Sequence, residues 1–165
     1  DSIFKRGKVG VITWVEFQLL ADLPAGSGEL LKRRRDEVLD LRTSKGMVLA
    51  EHDLDTHSCG SFFTNPIVTA SFARKLPEDA PRWEVDAEGD RVKLSAAWLI
   101  EHSGISKGLS LGASKAAVSS KHALAITNRG GATAAQIGEL ARFIQERVAA
   151  TFGINLVPEP SFVGF

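Results

Sequence analysis

The sequence has few of the features that mark secreted, membrane-spanning or nucleic-acid-binding proteins. Among its 165 residues only Cys59 is a cysteine, so the chain can form neither an internal disulfide nor a zinc site built on cysteines. No apolar run approaches the roughly 20 residues that a helix needs to cross a bilayer. Basic and acidic residues number 20 each, so no excess positive charge drives binding to nucleic acids or anionic membranes. We therefore expect a globular domain with neither nucleic acid nor membrane as a partner.

The familiar short motifs of catalysis and nucleotide binding are also missing. The chain has no Walker A loop, no G-x-G-x-x-G and no H-E-x-x-H, and Ser61 lacks the second glycine of a nucleophile elbow. His52, Asp53, Asp55 and His57 lie close together and could be taken for a metal site. Because adjacent acids and histidines are common in solvated loops, and no distant ligand is implied, we expect no metal.

The residues that are present predict an α+β domain. Val9–Leu20 is rich in β-branched and aromatic residues and predicts a strand, whereas Ser27 to about Thr43 predicts a charged helix followed by a long polar loop over Ser44–Ser58. Further elements are a hairpin over 82–94, a helix over 95–101, strands over 116–118 and 122–128, and a helix over 134–152 that Thr133 and Gln136 begin with a capping box. Because helices and strands interleave irregularly, we expect a mixed or antiparallel sheet packed against helices.

The segment Gly60-Ser-Phe-Phe-Thr-Asn-Pro66 carries the densest signal in the chain. Its glycine lets the backbone pass close to a neighbour, its phenylalanines should anchor it in the core, and Asn65 is held extended by the proline that follows. The segment would hold the hydroxyl of Ser61 and the carboxamide of Asn65 in place. The residue types alone leave open whether it is a structural turn or part of a site. Cys59, just before it, is expected to be a small buried hydrophobe.

Together with other motifs, this segment makes the chain resemble a known family. Five motifs occur in order: Gly60–Pro66, Lys93–Ile100, Ala116–Val118 followed by Lys121–Leu124, Asn128–Thr133, and Pro158-Glu-Pro160 with Gly164. This order resembles the C-terminal, substrate-binding domain of the UDP-N-acetylenolpyruvoylglucosamine reductases, also called UDP-N-acetylmuramate dehydrogenases. The resemblance covers essentially the whole chain, so we expect residues 1–165 to form that domain.

The resemblance implies a cytoplasmic flavoenzyme of peptidoglycan precursor synthesis, active in cell wall biogenesis. In the family, NADPH reduces bound FAD, which then gives hydride to the enolpyruvyl double bond of UDP-N-acetylglucosamine enolpyruvate and so makes UDP-N-acetylmuramate. By this resemblance Ser61 matches the serine that protonates the enol carbon, and Glu159 matches the second catalytic residue, near the substrate carboxylate. A serine hydroxyl is a weak acid, so the site must hold it within reach of the carbon and stabilise charge around it.

The resemblance also implies how a protein without net charge binds an anionic substrate. Asn65 matches a residue that hydrogen-bonds the nucleotide sugar, and Lys45 falls where a lysine reaches the diphosphate. Lys93 and Lys107 occupy two more basic positions of the site, and such local cations can bind a diphosphate and a carboxylate. The alternative for each lysine is a solvated surface charge.

Two further positions are implied less directly. His122 matches a glutamine or histidine position that lines the site, although a histidine that opens an apolar strand is by itself more often structural. Trp83 is expected to stack on the uracil, and packing at the core or rim is an equal alternative. The chain contains no tyrosine, so it lacks the tyrosine loop that some family members fold over the substrate.

The start of the chain departs from the family pattern. The family has two flavin-binding lobes before this domain, and Asp1–Lys5 resembles the segment just after a Tyr-Arg pair that contributes a catalytic arginine. We therefore expect the FAD lobes to be absent from this chain and the chain by itself to be inactive. The flavin-binding residues, which belong mainly to those lobes, are unknown. An exposed apolar patch is expected where the lobes dock. The competing hypotheses are a nucleotide-sugar binding module without catalysis and a serine hydrolase that uses Ser61 with His57 or His122.

Overall fold

The segment that begins the described part of the chain differs from its prediction. The computed structural model describes residues 10–18, 24 and 26–164, and it divides into two units, Asp1–Asp36 and Glu37–Phe165. Residues 10–18 form no strand, and Val11, Trp14 and Phe17 are exposed. The strand prediction is therefore wrong for these residues, while Val9, Leu19 and Leu20 lie outside the described ones. β-Propensity expresses fit to a paired, half-buried surface, and no described strand pairs with this segment.

The first helix, α1, spans Ser27–Ser44 as predicted, and none of its residues is buried. Its basic run at 32–35 is exposed to solvent. The helix ends in a Schellman motif, in which Met47 N–H donates to the Arg42 carbonyl (2.9 Å) and Gly46 N–H donates to the Thr43 carbonyl (3.0 Å). Gly46 takes the left-handed conformation that this motif needs, with φ of +68°. The motif therefore fixes where Lys45, the residue before this glycine, leaves the helix.

The remaining elements alternate short strands with helices. In chain order they are a 3-10 helix (Leu54–Thr56), β1 (Ser58–Ser61), β2 (Ile67–Thr69), α2 (Ala70–Ala73), β3 (Arg82–Glu84), β4 (Arg91–Leu94), α3 (Ala96–His102), β5 (Ala116–Val118), β6 (Ala125–Asn128) and α4 (Ala134–Phe152). Within the described ranges the strands form two antiparallel sheets with the orders β1-β6-β5 and β2-β4-β3. The predicted hairpin is the β3–β4 pair. β6 begins three residues later than predicted, because residues 122–124 form a turn before it.

Part of the core lies between α4 and the sheet of β1, β6 and β5. Leu140, Ile144 and Val148 of α4 are buried with Val118 of β5 and Ile126 of β6, at the three- to four-residue spacing that predicted this helix face. The helix begins with the expected capping box at Thr133 and Gln136 and ends at Gly153, with φ of +69°. The α+β class with antiparallel sheets packed against helices is confirmed. In the described part of the chain, helices that combine the length and apolarity needed to span a bilayer are absent.

Candidate functional site

Ser61 is presented by an irregularity in β1. Ser58 pairs with Thr127 and Ser61 pairs with Ala125, so three steps along β1 oppose two along β6. This bulge is accommodated by Gly60, whose φ of +79° disfavours any residue with a side chain. A bulge re-aims the side chain that follows it. The glycine before Ser61 is the sequence signal for the bulge. The bulge leaves Ser61 half-buried at the end of the strand.

Glu159 reaches the same place from the far end of the chain. Phe63 and Pro158 form an antiparallel bridge. On its two sides, Glu159 N–H donates to the Phe62 carbonyl (2.8 Å) and Thr64 N–H donates to the Val157 carbonyl (3.0 Å). Main-chain hydrogen bonds therefore hold the segment that carries Glu159 against the segment that carries Ser61.

These two residues and two of the predicted binding residues line one open cleft. The cleft has a volume of about 320 Å³ and is lined by Ser61, Phe63, Thr64, Asn65, Lys93, Leu124 and Glu159. Within the described part of the chain, the hydroxyl of Ser61 makes no hydrogen bond to a side chain, histidine included. The histidine contact that a hydrolase needs is thus not present there. A hydroxyl, an ammonium and a carboxylate converging on one cleft suit an anionic substrate that must receive a proton.

Asn65 has a structural role as well as a place in the cleft. Its side-chain oxygen accepts a hydrogen bond from the N–H of Ala96 (2.9 Å), the first residue of α3. That bond leaves the two hydrogens of the carboxamide nitrogen as donors toward the cleft. Asn65 therefore ties the cleft to α3, whose first turn is also capped by Ser95.

Lys93 and Trp83 share one face of the second sheet. Lys93 of β4 pairs with Trp83 of β3 on one side and with Ile67 of β2 on the other. Paired residues on adjacent antiparallel strands point to the same face, so an aromatic ring lies next to the half-buried lysine that lines the cleft. Trp83 is 50% exposed, which leaves its ring face accessible to a planar ligand.

Three other predicted residues form a second group, which we call the cationic cluster: Lys45, Lys107 and His122. Burial, followed by the positive charges of Lys45 and Lys107, lowers the pKa of His122, whereas Glu101 acts in the opposite direction. Lys107 also pairs with Glu101 at 3.3 Å. His122 Nδ1 accepts a hydrogen bond from the N–H of Leu124 (3.1 Å), a residue that lines the cleft. The cluster is therefore connected to the cleft through Leu124.

The acidic loop before β1 is bound to the turn that carries His122, a contact that no motif in the sequence indicates. Asp53 pairs with Lys121, and the Asp55 carboxylate accepts hydrogen bonds from the N–H (2.7 Å) and the hydroxyl (2.5 Å) of Ser120. The hydrogen bond from Lys121 lowers the pKa of Asp53. Among residues 10–18, 24 and 26–164, no cluster of three histidines, cysteines or acids is placed to hold a metal. The bonded residues lie 65 and 68 positions apart in the sequence, so no local pattern indicates that they bind each other.

A separate apolar groove shares no lining residue with the cleft. It includes a cavity of about 250 Å³ whose lining contains Cys59, Phe62, Ile137 and Phe162. Cys59 is exposed rather than buried, which corrects the expectation from its residue type. Cys59 lies on β1, which is an edge strand of its sheet, so one side of the strand has no neighbour in that sheet to cover it.

Comparisons with known proteins match this chain to one family. A family model described as "UDP-N-acetylenolpyruvoylglucosamine reductase, C-terminal domain" matches residues 52–163. A UDP-N-acetylenolpyruvoylglucosamine reductase of Leifsonia xyli is 44% identical over 99% of this chain and 56% of its own length. Another, from Thermobifida fusca, is 52% identical over 79% of this chain and 38% of its own length. The chain spans about half the length of the curated relatives it matches.

One solved structure is similar to this chain at lower identity. The crystal structure of UDP-N-acetylenolpyruvylglucosamine reductase from Thermus caldophilus is 28% identical, with a TM-score of 0.47, and covers 81% of this chain and 34% of that chain. The family match itself covers more than half of the 165 residues and includes Ser61, Asn65, Lys93 and Glu159. The chain therefore belongs to the UDP-N-acetylenolpyruvoylglucosamine reductase family, and the part of the family that it matches is the C-terminal domain.

Proposed function

We propose that this chain is the substrate-binding and proton-donating domain of an FAD- and NADPH-dependent reductase. The reductase converts UDP-N-acetylglucosamine enolpyruvate to UDP-N-acetylmuramate, in the cytoplasm, for peptidoglycan synthesis. One observation carries the proposal: Ser61, Asn65, Lys93 and Glu159 come from three separate parts of the sequence and line one cleft. The names of the relatives support the reaction class.

The cleft does not fit FAD. The cleft of about 320 Å³ is at the lower end of the range of about 300–1,000 Å³ for small-molecule sites. Its polar side chains converge on one small region, which suits the reacting end of a sugar substrate rather than a whole dinucleotide. We therefore assign the flavin, which supplies the hydride, to a part of the reductase outside these residues. In this proposal the chain without that part binds substrate but has no turnover.

Within the cleft, the residues have separable roles. The hydroxyl of Ser61 gives its proton to the enolpyruvyl carbon next to the one that receives the hydride. Lys93 stabilises negative charge on the substrate carboxylate, and Glu159 lies against the same reacting group. The amide hydrogens of Asn65 donate to the sugar, while Trp83 beside Lys93 offers its exposed face to the uracil ring. A positioned proton donor of this kind contributes about 10²–10⁴-fold to a rate.

The cationic cluster has the chemistry to bind the diphosphate. Lys45 and Lys107 supply positive charge near His122. A backbone N–H can only donate, so the acceptor Nδ1 of His122 is unprotonated and the neutral ring carries its proton on Nε2. That Nε2–H can donate to a phosphate oxygen. Two ammonium groups and one N–H donor would thus meet the diphosphate without the net positive charge that general anion binding requires.

The proposal is tested by titrating this chain with UDP-N-acetylglucosamine enolpyruvate in a calorimeter. We expect saturable binding that weakens by about 10- to 100-fold in Lys93→Ala and in Lys45→Ala, the value of a hydrogen bond to a charged group. Lys75→Ala, an exposed lysine after α2, is the matched control and should bind as the unmodified chain does. Absence of binding to a folded chain, or equal affinity in all three variants, would contradict the assigned site.

A nucleotide-sugar binding module without catalysis is the alternative function. Both functions predict the same calorimetric result. They are distinguished by measuring turnover, with and without a substitution of Ser61, in the longer reductase to which we assign this chain. Substitution of Ser61 would then leave turnover unchanged, because the module has no chemical step that depends on the hydroxyl.

A further inference from the structure

The position of Lys45 depends on a residue that lies outside the cleft and the cationic cluster. Lys45 is exposed and follows the last turn of α1, whereas the next residue, Gly46, is buried. A Cβ at Gly46 would lie 3.0 Å from Asp55 Cβ and 3.1 Å from the Asp55 carbonyl oxygen. The turn that carries Lys45 is therefore packed directly against Asp55.

The carboxylate of Asp55 binds the second turn of the cationic cluster. Its two oxygens accept from the N–H (2.7 Å) and the hydroxyl (2.5 Å) of Ser120. Next in the turn, the hydroxyl of the fully buried Ser119 accepts hydrogen bonds from the N–H groups of Lys121 and His122, both at 3.1 Å. Asp55 thus touches the Lys45 turn with its backbone and Cβ, and holds the His122 turn with its carboxylate.

The pKa of Asp55 agrees with a carboxylate that is hydrogen-bonded within the protein. Burial acts to raise the pKa of Asp55, but hydrogen bonds from Ser120 and Ser119 outweigh it and lower the pKa. Ser120 engages both oxygens of Asp55, and Asp53 pairs with Lys121 alongside. Both carboxylates of this loop are therefore bound to the turn that carries His122.

We propose that Asp55 is a positioning residue, which clasps the Lys45 turn to the Ser119–His122 turn so that Lys45 and His122 face the same anionic group. This inference rests on the proposed function only for the identity of that group, the diphosphate of the nucleotide sugar. The clasp itself consists of Gly46, Asp55 and Ser120, and none of them is among the residues that line the cleft. In the sequence these residues are separated by up to 74 positions.

One test of the clasp needs no ligand, because the pKa of His122 reports the position of Lys45. By Coulomb's law, removing a negative charge near His122 would lower its pKa, whereas releasing Lys45 would raise it. NMR titration of His122 in Asp55→Ala should therefore give a pKa above that of the unmodified chain. The other charges facing His122, those of Lys107 and Glu101, are unchanged by the substitution. Lys45→Ala should raise the pKa as well, and the double variant should raise it no further than Lys45→Ala alone.

The second test uses the nucleotide sugar. Asp55→Ala should weaken binding about 10-fold, as expected for losing the placement of one charged group, and it should have no effect in the Lys45→Ala background. Glu51→Ala, an exposed carboxylate on the same loop, is the control and should change neither affinity nor the pKa of His122. Ser120→Ala, which removes one of the two hydrogen bonds to Asp55, provides a milder variant should Asp55→Ala not fold.

The outcomes separate the clasp from the proposed function. An unchanged or lowered pKa of His122 in both Asp55→Ala and Ser120→Ala would overturn the clasp, as would full additivity with Lys45→Ala. A raised pKa that is non-additive with Lys45→Ala, found in a chain that does not bind the nucleotide sugar, would support the clasp and contradict the proposed function.

Discussion

The cleft and the cationic cluster are held together by different kinds of bond. Around the cleft, main-chain hydrogen bonds hold the segments together: Phe62 N–H donates to the Leu124 carbonyl at 2.8 Å, and Glu159 N–H donates to the Phe62 carbonyl at the same distance. The cationic cluster instead depends on side chains, above all the carboxylate of Asp55. Except at Asn65, whose side chain binds the N–H of Ala96, a change of side chain in the cleft should therefore alter its chemistry but not its shape. In the cationic cluster, a change at a residue without ligand contact can alter the shape itself.

The largest expected effect is at Ser61, in the cleft. In the longer reductase, Ser61→Ala should lower turnover by about 10²–10⁴-fold, because it removes the positioned proton donor, while substrate affinity stays nearly constant. Steady-state kinetics together with calorimetry separate the two quantities. Ser71→Ala, an exposed serine on α2, is the control. A fall in affinity as large as the fall in turnover would mean that the hydroxyl binds substrate rather than protonating it.

A smaller effect is expected at Gly60, which shapes the cleft through its backbone alone. A Cβ at Gly60 would meet nothing within 4 Å, so Gly60→Ala is opposed only by its φ of +79°. The left-handed conformation should cost about 1–2 kcal/mol of unfolding free energy. Because the bulge aims Ser61, turnover should fall as well.

Gly89→Ala provides the matched control for this prediction. Gly89 has a φ of +70° with open space at its Cβ, but it lies in the β3–β4 turn. It should show a similar loss of stability, measured by denaturant unfolding, and no loss of turnover. Equal losses of turnover in both variants would contradict a specific role for the bulge.

The smallest expected effect concerns the pH dependence of stability at His122. Burial and the charges of Lys45 and Lys107 lower its pKa in the folded state below the ordinary 6.5, against the effect of Glu101. Well above pH 6.5 the histidine is neutral in both states and contributes no difference. As the pH falls from 6.5 toward the folded-state pKa, the unfolded chain binds a proton that the folded chain does not, so stability decreases.

His122→Asn should reduce this loss of stability. Asparagine keeps an oxygen that can accept from the N–H of Leu124, but it does not titrate. Denaturant unfolding at pH 7.5 and at pH 5.5 measures the change for the variant and for the unmodified chain. An equal loss in both would mean that other groups carry the pH dependence. His52→Asn, an exposed histidine, is the control.

Much of the fold was predictable because its signals are local. The capping box at Thr133, the apolar face of α4 and the left-handed glycine after it each depend on residues within a few positions of one another. The same holds for the hairpin of β3 and β4. The prediction failed for residues 10–18, where β-branched and aromatic residues lack a described partner strand. A strand depends on distant residues for its hydrogen bonds, so composition alone did not determine it.

The sequence named candidate site residues but did not indicate how the fold groups them. The residue pattern and the resemblance named Ser61, Asn65, Lys93 and Glu159, which the fold brings to one cleft. Neither indicated that Lys45, Lys107 and His122 form a separate cluster, nor that Asp55 binds Ser120 from 65 positions away.

The sequence by itself determined the helices, the turns and the chemical groups available for a site, since these follow from propensity and from patterns within one or two turns. Only the tertiary structure decided which of those groups meet. The meeting of Ser61 with Glu159 requires an antiparallel bridge between residues 63 and 158, and the placement of Lys45 requires a glycine packed against Asp55. Such contacts depend on the close packing of chain segments that are far apart in sequence, and no local pattern encodes that packing.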